Sequence, residues 1–254
     1  MVGDVIGGGG RKVLAGVLPR LKDELSLDFV TVQGENIAGG AGMTRRTVEE
    51  LLQAGADVVT SGNHVWDQKE FVEQIDDPAL SVLKPLNYPV STPGRGYLDT
   101  GTVAVINLIG RVFVGEFDSP FTRVDELLST GFGEGRPVIF DFHAEASSEK
   151  AAMGWHLDGR VSAVCGTHTH VPTADARVLP GGTAFVTDLG MVGAFDSAIG
   201  VEIDDVLKRF LTSMPAKFRP VETGLFKFNS VMIETDEGTH LAKSIVRVDR
   251  EWRI

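Results

Sequence analysis

Residues 137–170 read PVIFDFHAEASSEKAAMGWHLDGRVSAVCGTHTH, and this stretch decides the fold class. It begins with an apolar run over 137–146, continues with a helical pattern over 147–156 and ends with a second apolar run over 161–167. Strands that are apolar nearly throughout are typical of parallel sheets covered by helices on both faces. The stretch therefore predicts a strand–helix–strand unit of an α/β protein.

The rest of the chain continues this alternation. Further strand-like runs lie at 28–34, 57–62, 102–110 and 182–188, and helical spacing of apolar residues marks 13–21, 44–54 (with Thr44 as N-cap) and 204–211. Near the C-terminus, strand-like runs flank Asp236-Glu237-Gly238, which predicts a hairpin in a second sheet or an antiparallel extension. We therefore expect one layered α/β domain over residues 1–254.

Composition narrows the class of protein. The chain is 43% hydrophobic and 23% charged, has no apolar window of membrane-span length, and lacks a basic segment followed by a long apolar stretch at its start. Its single cysteine, Cys165, cannot form an internal disulfide, which favours a reducing cytoplasm. A net charge of −11 argues against bulk nucleic-acid binding, so a phosphate substrate would need a local source of positive charge.

Polar side chains gather where the predicted strands end. The carboxyl ends of parallel strands lie at one edge of a sheet, and this is where sites of α/β proteins form. Carboxylates, amide oxygens and imidazoles suit Zn, Mn, Fe or Ni. The candidates are Asp4, Glu35, Asn36, Asn63, His64, His143, His168 and His170.

Each candidate also has a purely structural interpretation. Asp4 or Asn63 could cap a helix, Glu35-Asn36 could form a turn, and His143 could be a hydrogen-bonded core histidine. The pair His168/His170 is harder to explain this way, because residues i and i+2 of a strand point to the same side and two buried imidazoles need partners or a metal. Structural explanations for all these segments at once are improbable together, so we predict a metal site.

The same residues carry a resemblance to a known family. Asp4, Glu35-Asn36, Gly62-Asn63-His64, His143 and Gly166-Thr-His168-Thr-His170 resemble the motifs of calcineurin-like metallophosphoesterases. The stretches GDVIG, GENIAGGAGMT, GNHVWD and most of 141–200 are similar to the bacterial YmdB-like branch of that superfamily. The resemblance implies an α/β/β/α sandwich of mixed sheets with helices outside. It also implies a dinuclear phosphodiesterase that hydrolyses 2′,3′-cyclic nucleotides through a metal-bridging hydroxide.

The resemblance also implies a role for each candidate. Two divalent ions, iron or manganese with zinc or magnesium as alternatives, would share Glu35. One ion would further bind Asp4, Asn36 and His170, and the other would bind Asn63, His143 and His168. His64 would be a catalytic residue outside the ligand set, acting as general acid or as a hydrogen-bond donor to phosphate. No motif identifies substrate-binding residues.

Two departures from the family pattern bear on the first ion. Ile6 occupies the position of a superfamily histidine, and only three residues precede Asp4, so we expect Asp4 to be weakly anchored and the glycine run 7–10 to be loose. These departures keep open the alternative of a regulatory metal- or nucleotide-binding protein with little turnover. Among enzymes, a phosphomonoesterase or nucleotidase is the other alternative. The expected partner is a small phosphodiester, with no membrane, and self-association into a homo-oligomer is left open.

Three carboxylates outside the motifs receive weaker predictions. Asp188 follows a strand and either orients a ligand histidine or caps a turn. Glu145 and Glu149 are expected on the solvated start of a helix.

Overall fold

Strands and helices alternate along the chain, and the computed structural model describes all of residues 1–254. The α-helices are α1 (Gly7–Leu25), α2 (Arg45–Gln53), α3 (Pro120–Leu128), α4 (Ser147–His156) and α5 (Ile203–Thr212), with a short 3₁₀ helix at Lys69–Glu73. The strands are β1 (Asp4–Val5), β2 (Thr31–Gln33), β3 (Val58–Thr60), β4 (Tyr97–Asp99), β5 (Ala104–Ile109), β6 (Val138–His143), β7 (Ala163–Thr167), β8 (Arg177–Val178), β9 (Ala184–Val186), β10 (Met191–Ala194), β11 (Leu225–Phe228), β12 (Val231–Thr235), β13 (Ala242–Arg247) and β14 (Arg250–Arg253).

The stretch 137–170 forms the centre of a six-stranded sheet. The strand order is β4-β5-β6-β7-β9-β8, in which β5, β6, β7 and β9 are parallel and the two edge strands are antiparallel. Helix α4 connects β6 to β7 with the predicted bounds. The predicted strand–helix–strand unit is therefore confirmed, although β6 ends at His143 rather than at residue 146.

A second sheet, in the order β1-β10-β11-β14, supplies the other half of the molecule. Strand β1 is parallel to β10, and a parallel bridge between Val2 and Val32 places β1 beside the β2–β3 pair. The predicted C-terminal hairpin is β12–β13, whose turn is closed by Asp236 accepting hydrogen bonds from the backbone of Gly238 and Thr239.

Apolar side chains form layers between these elements. One core packs α1 and α2 on the strands around β2, β10 and β11, and another packs α3 and α4 on the six-stranded sheet. A third, smaller cluster lies between β7, β9 and the β12–β13 hairpin. Helices thus lie outside and sheets inside, as the predicted α/β/β/α sandwich requires.

The start of the chain is held more firmly than its length suggests, so the expectation of a weakly anchored Asp4 is wrong. Asp4 is fully buried, its N–H donates to Gly190 O at 3.0 Å, and β1 pairs with β10. Glycines 7–10 are not a loose loop but the first turn of α1. A Cβ at Gly9 would collide with the ring of Phe226, so this turn needs glycine for close packing.

Candidate metal centre

The carboxyl ends of strands from both halves of the molecule meet at one buried cluster. Asp4 comes from β1, Glu35 follows β2, Asn63 follows β3, and His143 ends β6. His168 and His170 follow β7. The six predicted side chains named here are brought together by the fold, since each contacts at least one other across different segments.

Glu35 belongs to two overlapping groups of ligand atoms. The first, which we call the His168 triad, consists of Glu35, His143 and His168. The second, the His170 triad, consists of Asp4, Glu35 and His170. Within each triad the candidate ligand atoms all lie within 4.8 Å of one another, which is compact enough to surround one cation.

His143 is the most strongly supported side chain of the cluster. Its Nδ1 lies 3.0 Å from the hydroxyl of Thr167, which itself donates to Asp141 Oδ1 at 2.7 Å, and 2.9 Å from the amide nitrogen of Gln33. Its Nε2 then faces inward, 3.1 Å from Glu35 Oε1, 3.1 Å from Asn63 Oδ1 and 2.9 Å from His168 Nδ1. The outer nitrogen of His143 thus has protein partners that orient the ring, while the inner nitrogen is directed at the cluster.

The other two histidines follow the same arrangement. His168 places Nε2 3.2 Å from Glu145 Oε2 and directs Nδ1 at His143. His170 places Nδ1 2.9 Å from the carbonyl of Ile199 and directs Nε2 at Asp4, 3.8 Å from Oδ1. His168 and His170 therefore each have an outer acceptor, and all three imidazoles direct an inner nitrogen at the cluster.

His168 and His170 are directed at the cluster by a backbone conformation different from the predicted strand. Strand β7 ends at Thr167, and His168 and His170 both have positive φ, 97° and 63°. Non-glycine residues in this region are strained, and such strain concentrates at functional sites. The prediction that strand alternation aligns them is wrong; a left-handed turn does so.

Asp188 holds this turn in place. Its Oδ2 accepts from Thr169 N at 3.2 Å and from Thr169 Oγ1 at 2.8 Å, between the two histidines. The same oxygen is 2.6 Å from Lys150 Nζ, and both side chains are 1% exposed. Asp188 thus positions the two histidines through the backbone rather than through an imidazole.

Burial prepares the histidines to act as ligands. Desolvation lowers the pKa of His168 to about 3, aided by the charge of His143, and desolvation also lowers the pKa of His170. Both rings are therefore neutral near pH 7, which is the form that binds a cation. Burial would raise the pKa of Glu35, but the charge and hydrogen bond of His143 hold it at about 2.

Three further observations show that the residues fit a divalent cation. Asp4 Oδ1 and Asn36 Oδ1 are buried without any hydrogen-bond partner, an arrangement that costs free energy unless something binds there. The inner nitrogens of His143 and His168 face each other at 2.9 Å, which needs a proton or a cation between them. A Cβ at Gly62 would collide with His143 and Glu35, so glycine lets the chain approach the cluster.

The comparison with known proteins agrees with the motifs. The family model described as YmdB-like protein matches residues 1–248. This chain belongs to the YmdB-like family. It is 44% identical over 251 residues to the 2′,3′-cyclic-nucleotide 2′-phosphodiesterase of Bacillus subtilis (strain 168), covering 97% of this chain and 94% of that protein.

Two crystal structures share the fold of this YmdB-like protein. A hypothetical protein from Thermus thermophilus is 40% identical with a TM-score of 0.90, covering 98% of this chain and 97% of that one. A novel phosphatase from Mycoplasma pneumoniae is 32% identical with a TM-score of 0.91, covering 98% and 92%. The fold is therefore the metallophosphoesterase sandwich that the motifs imply.

His64 lies beside the cluster of the YmdB-like protein without its ring belonging to either triad. Its backbone N–H donates to Glu35 Oε2 at 3.1 Å, and its Nδ1 is 2.8 Å from Asp67 Oδ2. Asp67 was not predicted as a site residue; its spacing of three residues from His64 was the available signal. Since Asp67 holds the Nδ1–H, only a doubly protonated ring can donate from Nε2.

Other supporting residues also escaped prediction. Gln33 accepts from Glu35 N at 2.7 Å and contacts His143, while Thr167 and Asp141 support His143 from behind. Glu145 is exposed as expected but contacts His168, whereas Glu149 is buried and accepts from the backbone of Arg111, against expectation.

No helix of the YmdB-like chain combines the length and apolar character needed to cross a membrane.

Proposed function

We propose that this YmdB-like protein is a dinuclear, metal-dependent phosphodiesterase that hydrolyses 2′,3′-cyclic nucleotides. The observation that carries the proposal is the sharing of Glu35 by two compact triads. The name of the Bacillus subtilis relative, at 44% identity over nearly the whole chain, supports the substrate class. Because both halves of the molecule contribute ligands, the proposal takes residues 1–254 as one catalytic domain.

The proposed ligand sets follow the two triads. Asn63 joins the His168 triad through its contact with His143 Nε2. Asn36 joins the His170 triad, because its buried and unpartnered Oδ1 follows directly on Glu35 in the chain. Divalent cations bound there, iron or manganese in this proposal, supply activation of water at neutral pH and stabilisation of charge on the phosphoryl oxygens.

The charge of the ligand shell explains how an acidic protein attracts a phosphate. Asp4 and Glu35 are the only carboxylates in the two triads and contribute −2. Two divalent cations would leave the cluster at about +2, although the chain carries −11 overall. The cluster is thus a local positive centre, which positions a phosphodiester beside His64.

His64 is the proposed proton donor to the leaving oxygen. Asp67 fixes the ring through Nδ1, and the backbone of His64 is tied to Glu35, so Nε2 is held close to the cluster. A protonated Nε2 at this position can transfer its proton as the ester bond breaks, which general acid catalysis requires. The side chain of His64 is about two-fifths exposed, which lets the ring regain a proton from water.

A substrate panel with metal analysis tests the proposal. The purified protein is loaded with Mn²⁺ or Fe²⁺, its metal content is measured, and its turnover of 2′,3′-cyclic AMP, bis-p-nitrophenyl phosphate and p-nitrophenyl phosphate is compared. We expect two metal ions per chain and hydrolysis of the diesters over the monoester.

Three outcomes would contradict this proposal. Fewer than one metal ion per chain together with no turnover would show that the protein is not a metal-dependent enzyme. A preference for p-nitrophenyl phosphate would indicate a phosphomonoesterase or nucleotidase. Binding of 2′,3′-cyclic AMP without hydrolysis would indicate a regulatory binding protein.

A further inference from the structure

A cavity opens directly beside the cluster, and of the proposed metal ligands only His170 lines it. Its volume is about 530 Å³, and it begins at His170 and runs over the outer face of the sheet β1-β10-β11-β14. The opposite face of this sheet packs on α1 through Val192, Phe226 and Phe228. We call this cavity the outer groove; the residues that shape it here are His170, Met191, Phe195, Ile199, Lys227 and Glu251.

Phe195 is the dominant side chain of the outer groove. It follows β10 and is 53% exposed, which is unusual for a phenylalanine next to a catalytic centre. The ammonium of Lys227 lies 4.4 Å from the centre of its ring, so a cation–π contact orients the aromatic plane. An oriented aromatic ring that is open to solvent is a platform on which a planar ring can stack.

The loop that carries Phe195 is rigid and tied to the cluster. Ser197 Oγ donates to Ala194 O at 2.6 Å and accepts from Gly200 N at 2.8 Å. Ile199 has φ of 51°, a conformation that a β-branched residue rarely adopts, and its carbonyl faces His170 Nδ1 at 2.9 Å. The strained residue therefore both orients a ligand histidine and presents a half-exposed apolar side chain to the groove.

The charges of the outer groove are already paired. Lys227 forms an ion pair with Glu251, Arg250 is 2.8 Å from Glu24, and Asp249 is 2.9 Å from Arg247. No unpaired cation is therefore left among these groups to hold a second phosphate. The groove instead suits a flat, uncharged group attached to a phosphate that lies at the cluster.

We propose that the outer groove binds the base of the nucleotide substrate, which stacks on Phe195 while the cyclic phosphate lies beside His170. This inference rests on the proposed function and adds the residue that recognises the nucleoside. A cavity of this size is in the ordinary range for small-molecule sites, and a pre-formed loop lowers the entropy cost of binding. The ligand class is a nucleoside cyclic phosphate rather than an oligonucleotide, because the cations of the groove are already paired and none is left to hold a second phosphate.

Two substrates that share the reactive ring but differ in the base test the groove. The metal-loaded enzyme is assayed with 2′,3′-cyclic AMP and with glycerol 1,2-cyclic phosphate, which has no base. We expect Phe195→Ala to lower the ratio of kcat/KM between the two by about 5- to 150-fold, the range of one base–aromatic stack. Phe195→Tyr should retain the ratio.

Phe210→Ala is the matched control, because Phe210 is 79% exposed on α5 and does not line the groove. It should leave the ratio unchanged. If Phe195→Ala does not change the ratio, or Phe210→Ala lowers it equally, the groove proposal is wrong while the diesterase proposal stands. If the wild-type protein hydrolyses no phosphodiester, the proposed function itself fails.

A second readout is independent of turnover. Saturation-transfer NMR with adenosine, which carries the base but no phosphate, is recorded on the wild-type protein and both variants. We expect transfer to the adenine protons that is lost in Phe195→Ala and kept in Phe210→Ala. Equal transfer in all three proteins would overturn the assignment of the groove.

Discussion

The two triads differ in how the protein supports them. Around the His168 triad, His143 contacts Glu35, Asn63, His168, Thr167 and Gln33 within 3.1 Å, so its atoms have protein partners. Around the His170 triad, His170 Nε2 and Asp4 Oδ1 are 3.8 Å apart, and Asp4 Oδ1 has no hydrogen-bond partner. The His168 triad is held by hydrogen bonds within the protein, whereas the His170 triad depends more on the cation that it would bind.

This difference changes the question that the sequence raises. From the sequence, we expect Asp4 of the His170 triad to be weakly anchored, because only three residues precede it. In the structure Asp4 is fully buried and paired, so anchoring is not the weakness. Desolvation instead raises the pKa of Asp4 well above its usual value, and although Oδ2 accepts from His168 N at 3.2 Å, the partnerless Oδ1 leaves a place for a cation.

Removal of Glu35, which both triads share, should abolish metal binding at both triads. Glu35→Gln keeps the shape of the side chain and removes the charge that both triads use. Because loss of even an indirect supporting residue lowers metal affinity about 10- to 100-fold, we expect kcat/KM to fall by more than about 10³-fold and both metals to be lost. Metal analysis and diesterase assays measure this, and retention of one full equivalent of metal would contradict sharing.

Removal of His64 should reduce turnover and spare both triads. His64→Ala deletes the proposed proton donor, for which losses of about 10²- to 10⁴-fold in kcat are typical. Metal content should remain that of the wild type, because the ring lies in neither triad. Asp67→Asn should give a smaller loss in the same direction. If His64→Ala loses metal instead, its assignment outside the ligand set is wrong.

Removal of Asp188 should weaken metal binding at both triads, because Asp188 holds the turn that carries His168 and His170. Asp188→Asn also leaves Lys150 as a buried, unpaired charge, which typically costs about 3–5 kcal/mol of unfolding free energy. Chemical denaturation measures the loss. Glu126→Gln, which breaks an exposed ion pair with Arg123, is the control and should leave stability nearly unchanged. Similar effects of both variants would refute the role of the buried pair.

The pH dependence of metal uptake should separate the triads by the proton each one releases. Burial raises the pKa of Asp4; burial opposes protonation of His143, but the charges of Glu35 and Asp4 outweigh it and raise its pKa. Both groups must lose their protons to bind a cation, so affinity should rise with pH, by up to about tenfold per pH unit for each proton released. Calorimetry in buffers of different ionisation enthalpy counts these protons. Asp4→Asn should remove one, and an unchanged count would contradict this assignment.

Much of the fold follows from local patterns in the chain. The apolar runs predict the four parallel strands β5, β6, β7 and β9, because strands that are apolar nearly throughout are typical of sheets covered on both faces, whereas the edge strands β4 and β8 were not predicted. Helix α3 was missed, although Ser119 caps it and Pro120 opens it, which is a recognised start signal. Short strands such as β10, with Gly193 in its centre, show no apolar alternation and depend on partners distant in sequence.

The side chains of the candidate metal centre could be picked out from the sequence, but the residues that orient them could not. Ligands share a chemical type and strand-end positions, which the chain shows directly. Supports such as Gln33, Asp141 and Glu145 are ordinary polar residues whose role arises only when separate strands meet. The turn at His168 and His170 could not be read from strand periodicity, because its positive φ angles depend on Asp188, which follows a later strand.

The most direct test of the account is the location of bound metal. Crystals of the protein loaded with Mn²⁺ are measured near the manganese absorption edge, and anomalous difference maps are compared for the wild type, His168→Ala and His170→Ala. We predict two peaks that share Glu35 in the wild type, with the peak at the altered triad lost in each variant. A single peak in the wild type, or two peaks that do not both contact Glu35, would contradict it.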